Sequence, residues 1–200
     1  MSNEPPVTQS RPGKARFGAA LAGALLMLLL VVAVVGGEAA LSTNGFCTSC
    51  HSMSYPAEEL RESSHYGALG ADPGCKDCHI PQGMENLHRA VWAHLADGSR
   101  DLLAELTRDY ASIEAFDERR LEMAHRVRMQ MKAQDSLTCR RCHSNPRPPG
   151  RSAKAAHARM QSEGLTCIDC HQNLVHEEVE ETDLTASLAR GSMVIRELED

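Results

Sequence analysis

Hydrophobic and polar positions divide the chain into two readable patterns. From Phe17 to Gly37, FGAALAGALLMLLLVVAVVGG, 21 consecutive positions carry no charge. At about 1.5 Å rise per residue a helix of that length spans roughly 30 Å, enough to cross the hydrocarbon of a bilayer once. A cleaved signal core usually has about 7 to 15 apolar residues. The run is longer, so it predicts an uncleaved anchor over 17–37, although Gly37-Glu38-Ala39 faintly resembles a cleavage site. The second pattern lies between about Gly83 and Ser136. MENLHRAVWAHLAD carries Leu87, Val91, Trp92 and Leu95 at helical spacing, and SIEAFDERRLEMAHRVRMQMKA repeats Ile113, Phe116, Met123, Val127 and Met131. Both predict helices. The methionines suit core positions better than ligand positions, because Met fills irregular gaps. NPRPPG, from Asn145 to Gly150, predicts a break.

Charge gives the anchor a direction. Arg11, Lys14 and Arg16 precede it against Glu4 alone, so the positive-inside rule keeps residues 1–16 in the cytoplasm and sends the rest across. The formal net charge of the chain is −6. From Glu177 onward eight acids stand against Arg190 and Arg196, so this tail alone accounts for the imbalance. An acidic segment with few aromatics predicts a solvated, poorly ordered extension over 177–200. No basic patch points to nucleic acid. Aromatic residues make up only 4% of the chain, three Phe, three Tyr and one Trp, too few bulky side chains for a core of this size.

The cysteines explain that scarcity. All eight belong to C-x-x-C-H units: Cys47, Cys50 and His51; Cys75, Cys78 and His79; Cys139, Cys142 and His143; Cys167, Cys170 and His171. A redox disulfide or half a zinc site requires no histidine directly after the second thiol, whereas covalent haem attachment does. Two thioethers hold the macrocycle and the adjoining imidazole reaches the iron. Four covalently bound haem c groups are therefore expected. The first cysteines are separated by 28, 64 and 28 residues, so the chain reads as a duplicated dihaem module, 46–80 and 137–176, joined by a helical segment over 83–136. His65 lies 14 residues from both His51 and His79, and His157 lies 14 from both His143 and His171.

Six histidines remain outside the motifs: His65, His88, His94, His125, His157 and His176. Low-spin electron-transfer haems need a second axial ligand. His65 and His157 qualify by the repeat. His176, five residues after His171, is too close to cap its own haem comfortably and well placed to reach another iron. Met53 either packs on a porphyrin or ligates the first iron, where it would raise the potential. His88, His94 and His125 fall within the predicted helices, where partial exposure is the ordinary role.

Together these pieces, with CTSCHSM, SSHY around His65, CKDCHIP, KAQDSLTCRRCH and AHARMQSEGLTCIDCHQNLVH, resemble the NapC/NirT family of membrane-anchored multihaem cytochromes c, including its NrfH type. The resemblance runs from the anchor through His176. It implies a mainly α fold with irregular loops, a single N-terminal transmembrane helix, and a periplasmic tetrahaem domain over 41–176 at the bacterial inner membrane. It also implies a quinol dehydrogenase of anaerobic respiration that draws on the membrane quinol pool. Its electrons go to a periplasmic reductase of the nitrate or nitrite type, or to a soluble cytochrome. By resemblance Met53 is a ligand of haem 1, where it can displace His51; His65 serves haem 3, His176 haem 2 and His157 haem 4. The NrfH-type quinol site uses a lysine and an aspartate on the helix after the second motif. Asp97 matches the aspartate. The lysine position is Ala90, which leaves Arg89 and His94 as nearby basic substitutes. His94 lies one helical turn from Asp97 and an imidazole can take a proton near neutral pH. A tethered electron relay without its own quinol site is the alternative reading.

Overall fold

The computed structural model describes residues 12–160 and 162–197. Among them it is helical, with no strand beyond one isolated bridge. Helix α1, Pro12–Leu41, contains the uncharged run and extends it at both ends, and its apolar side chains are exposed along its length. Residues 16–41 are long and apolar enough to cross a membrane.

Beyond it lies a second compact unit. Its first module comprises α2, Asn44–Cys47; a tight turn, His51–Met53; α3, Ser54–Glu62; and α4, Cys75–His79. The connecting segment forms α5, Leu87–Thr107; α6, Ile113–Asp117; and α7, Arg120–Ala133. The second module contains α8, Leu137–Cys142; α9, Arg151–Met160; and α10, Cys167–Cys170. A last helix, α11, spans Leu184–Arg190.

Short helices form at the cysteine motifs because local hydrogen bonds close their ends. In the second and fourth motifs the residue before the second cysteine is an aspartate. Asp77 accepts the Gly74 N–H at 2.7 Å, and Asp169 accepts the Thr166 N–H at 2.7 Å. An acid at the third helical position that reaches back to the cap satisfies a donor the helix would otherwise leave open. Within each module the two motifs are also tied by one repeated device. Three residues ahead of the first cysteine, Asn44 accepts the Cys75 N–H at 3.0 Å; at the equivalent place Ser136 accepts the Ile168 N–H at 3.2 Å. Gly74 is needed here, because a Cβ at that position would collide with the Asn44 side chain.

Helix α5 forms where periodicity placed it. Ala90 is 2% exposed and Leu87 and Val91 are half-buried, whereas Trp92 is 69% and Leu95 61% exposed, on a face shared with Leu102, Leu103 and Leu106. One expectation changes: the acidic tail is folded over its described residues, 177–197. Thr182 pairs with Ile195 in an antiparallel bridge, and Leu184 is 1% exposed. Helix α11 packs on α7, whose His125, Arg128 and Lys132 follow one another at helical spacing. Arg128 donates to the Glu180 carbonyl at 2.9 Å, Lys132 to Thr185 at 3.1 Å and to Asp169 at 2.7 Å, and His125 lies 3.2 Å from the Thr182 hydroxyl. Basic groups on α7 receive a segment that composition alone marks as free. Its helix also had a signature in the sequence: Asp183 caps the Ala186 N–H at 2.8 Å, and Gly191 ends the helix at φ 68°.

Leu184→Ala should therefore lower stability by roughly 2–4 kcal/mol through lost burial and the cavity left behind. Thermal unfolding of the holoprotein followed by far-ultraviolet circular dichroism measures this; an unchanged melting temperature would mean that the tail is not part of the folded unit.

Candidate haem centres

A single helical turn puts residues i and i+3 on one side, so the C-x-x-C pairs of α4, α8 and α10 each project both thiols the same way; in the first motif Cys47 ends α2 and Cys50 is extended, at φ −84° and ψ 140°. No disulfide joins any of the eight cysteines, so all of them are available for thioether bonds. That leaves the motif histidines and their partners as the test of whether the chain can hold four haems.

Two histidine pairs meet that test by distance. The rings of His79 and His176 have centroids 6.2 Å apart, and those of His157 and His171 lie 6.1 Å apart. An iron about 2.0 Å from one nitrogen of each of two opposed imidazoles, with ring centres about 1.1 Å further out, separates those centres by roughly 6 Å. In both pairs the non-motif histidine also has its Nδ1 engaged. His157 Nδ1 lies 2.8 Å from the Ala153 carbonyl one turn earlier on α9, and His176 Nδ1 lies 3.2 Å from a Glu59 carboxylate oxygen. Engaging Nδ1 fixes the tautomer and leaves Nε2 for a metal. Surrounding protein pushes the His79 imidazole down to about 4. The neutral form that ligates iron is thus favoured.

The other predicted ligands are placed differently. His65 follows α3 with a buried Nδ1 that has no hydrogen-bond partner, and among the described residues it makes no ring pair with His143 at the end of α8. His51 Nε2 lies 3.1 Å from the Tyr55 hydroxyl, with the two rings edge to face at 5.5 Å. Met53 faces a cavity of about 120 Å³ whose walls include Ser52, Asp101, Leu103, Phe116 and Met123. Its turn is fixed to α5 by buried Ser52, whose hydroxyl donates to Glu105 at 2.5 Å.

On α5 the candidate proton-handling residues separate. Asp97 accepts from Arg100 at 3.0 Å and Gln130 at 2.8 Å, and it lines a smaller cavity of about 40 Å³ with His79 rather than the one with Met53. His94 Nδ1 lies 2.9 Å from the Ala90 carbonyl, so its Nε2 is the open nitrogen, and Arg89 is exposed. Two carboxylates line the Met53 cavity, Glu122 and Asp101; Asp101 is half-exposed, one turn beyond Asp97 and 3.7 Å from Arg126. Partial desolvation raises it above the ordinary carboxylate range. Sequence reasoning missed Asp101, Tyr55 and Glu59; the four-residue interval from Asp97 to Asp101 was the available signal for the first.

Four C-x-x-C-H motifs and two opposed histidine pairs fit a tetrahaem cytochrome of the c type, and the N-terminal helix is long and apolar enough to anchor it in a membrane. The chain belongs to the NapC/NirT cytochrome c family, whose N-terminal region matches residues 11–181. It is 61% identical over 191 residues to a probable tetraheme cytochrome c-type protein of Nitrosomonas europaea, covering 96% of this chain and 82% of that one. It is 43% identical over 140 residues to the cytochrome c-type protein TorY of Haemophilus influenzae, covering 68% of this chain and 37% of TorY. The denitrification system component NirT of Stutzerimonas stutzeri is 32% identical over 168 residues, covering 77% of this chain and 81% of NirT. No solved structure matches. Membership gives the chain covalently bound haem c and a general role in respiratory electron transfer.

If His157 and His171 oppose one another across an iron, His157→Ala should convert one haem of four from low to high spin. Electron paramagnetic resonance of the oxidised holoprotein shows the change, and an unaltered low-spin spectrum would remove His157 from the ligand set.

Proposed function

We propose that the chain oxidises membrane quinol and passes the electrons to a periplasmic terminal reductase of the nitrate or nitrite type. Arg11, Lys14 and Arg16 hold the N-terminus in the cytoplasm and so direct the haem domain to the periplasm. The single observation that carries the reading is the Met53 cavity. It combines a candidate sulfur ligand, an adjacent histidine engaged by Tyr55, and a carboxylate of raised proton affinity.

When bound, each haem accepts one electron at a time, while a quinol gives up two electrons and two protons. The chain must therefore bind the quinol, take its protons and keep the hydroxyls oriented. Asp101 is placed to accept a proton at a carboxylate oxygen facing the Met53 cavity, and Arg126, 3.7 Å away, favours its return to the charged form once the proton has been passed on. Asp97, with His94 and Arg89 on the same helix, extends this proton-handling set by one turn, and Arg100, which lines the Met53 cavity, donates to Asp97. Tyr55 engages His51 through its hydroxyl, and Met53 would hold the first haem through its thioether. His65, His157 and His176 would help to hold the other three.

Holoprotein reconstituted in liposomes should be reduced rapidly by a menaquinol or ubiquinol analogue, in a manner sensitive to quinol-site inhibitors. Asp97→Asn and Asp101→Asn should each slow that reduction at least tenfold, about 1.4 kcal/mol of barrier, while dithionite still reduces every haem. Wild-type rates in both variants would withdraw the site, and no reduction of the wild type by either quinol would make the protein a tethered relay.

A further inference from the structure

The two histidine pairs that fit an iron have nearly equal ring separations, 6.2 and 6.1 Å, yet their outer nitrogens meet different chemistry. His157 Nδ1 lies against a neutral backbone carbonyl, Ala153, at 2.8 Å. His176 Nδ1 lies against a carboxylate, Glu59, at 3.2 Å. Glu59 comes from α3, in the first module, so the contact joins that module to the segment following the fourth motif.

The carboxylate is held from behind. Arg120 donates from its NH2 nitrogen to Glu59 Oε1 at 2.7 Å, and the Glu177 N–H donates to Oε2 at 3.3 Å. The Arg120 side chain is itself only 8% exposed. Its Nε donates to Asp117 at 2.7 Å, and its guanidinium lies 5.0 Å from the centre of the Phe116 ring. One oxygen of Glu59 is thereby assigned to arginine and the other remains for the imidazole. With so little freedom in Arg120, the position of Glu59 is set by packing rather than by solvent.

A carboxylate accepting Nδ1–H draws the proton toward itself and returns electron density to the ring, which raises the basicity of Nε2 as a metal ligand. A more basic axial imidazole favours the ferric over the ferrous state, and hydrogen bonding to a ligand is one of the means by which a protein sets haem potential. We propose that Glu59 is a positioning residue that lowers the reduction potential of the haem at His79 and His176 below that of the otherwise similar haem at His157 and His171, and that Arg120 moderates this by sharing the carboxylate charge. The inference rests on both pairs ligating haem. It implies that two bis-histidine centres of one duplicated fold are made electronically unequal by a single outer partner.

The test is a spectroelectrochemical titration of the purified four-haem protein with Glu59→Gln and Arg120→Gln. Glutamine keeps an acceptor for Nδ1–H and removes the charge, so Glu59→Gln should raise one of the four potentials and shift one low-spin resonance signal, leaving the others in place. Arg120→Gln should lower the same potential, because the carboxylate then acts on His176 undivided. Loosening of the structure would move both variants the same way, so opposite shifts separate an electronic effect from a structural one. Unchanged potentials in a folded Glu59→Gln protein, or shifts of one sign in both variants, would overturn the proposal. Should Glu59→Gln fail to assemble, the required fall in Arg120→Gln decides it alone. His176→Ala distinguishes the underlying reading: if no haem becomes high spin, His176 is not a ligand and the ligation itself fails.

Discussion

A porphyrin joined through two thioethers and an adjacent imidazole requires two cysteines three residues apart to face one way, which a single helical turn does at three of the four motifs, and this requirement organises most of the chain. Each short motif helix is too brief to stand by its own hydrogen bonds. Its ends are therefore secured from outside, by Asp77 and Asp169 reaching back to the preceding N–H, and by Asn44 and Ser136 reaching across to the second motif of each module. Among the described residues the buried apolar side chains are few, chiefly Leu60, Tyr110, Phe116, Ile168 and Leu184. Such a protein depends on its cofactors for bulk and on polar contacts for local shape.

Those polar contacts also give the centres different surroundings. The motif places one histidine at each attachment point and says little about the opposite side, where the chain is free to vary ligand and surroundings. His157 is steadied by its own helix, whereas His176 is steadied by a carboxylate from another module and a buried arginine behind it. At the first motif the turn carrying Met53 is fastened to α5 through Ser52 and Glu105, next to a cavity with titratable walls. One repeated attachment chemistry thus yields sites of different character, which a directional electron path needs.

Much of this was legible in the sequence because it is local. The anchor, the four attachment turns, the duplication and the helices between the modules all follow from spacing. The 14-residue repeat singled out His157, whose ring lies 6.1 Å from that of His171, and equally His65, which makes no ring pair with His143 among the described residues. Long-range pairings were less accessible. Glu59 and His176 are 117 positions apart, and nothing in either segment names the other. The burial of Ala90 on α5 was hidden because alanine carries little hydrophobic signal while exposed Trp92 and Leu95 carry much. The acidic tail misled for a related reason: its charge suggests solvation, but its fold rests on Leu184, Asp183 and Gly191 and on basic groups of α7 far away in the chain.

In the function proposed above, Met53 would hold the first haem, where Tyr55 engages His51, and paired histidines would hold the other three. Low-temperature magnetic circular dichroism of the oxidised four-haem protein, in the near infrared where axial ligands give separate charge-transfer bands, tests it most directly. The account predicts three bis-imidazole haems and a fourth of different ligation that changes in Met53→Leu. Four equivalent bis-imidazole haems, indifferent to Met53, would contradict it.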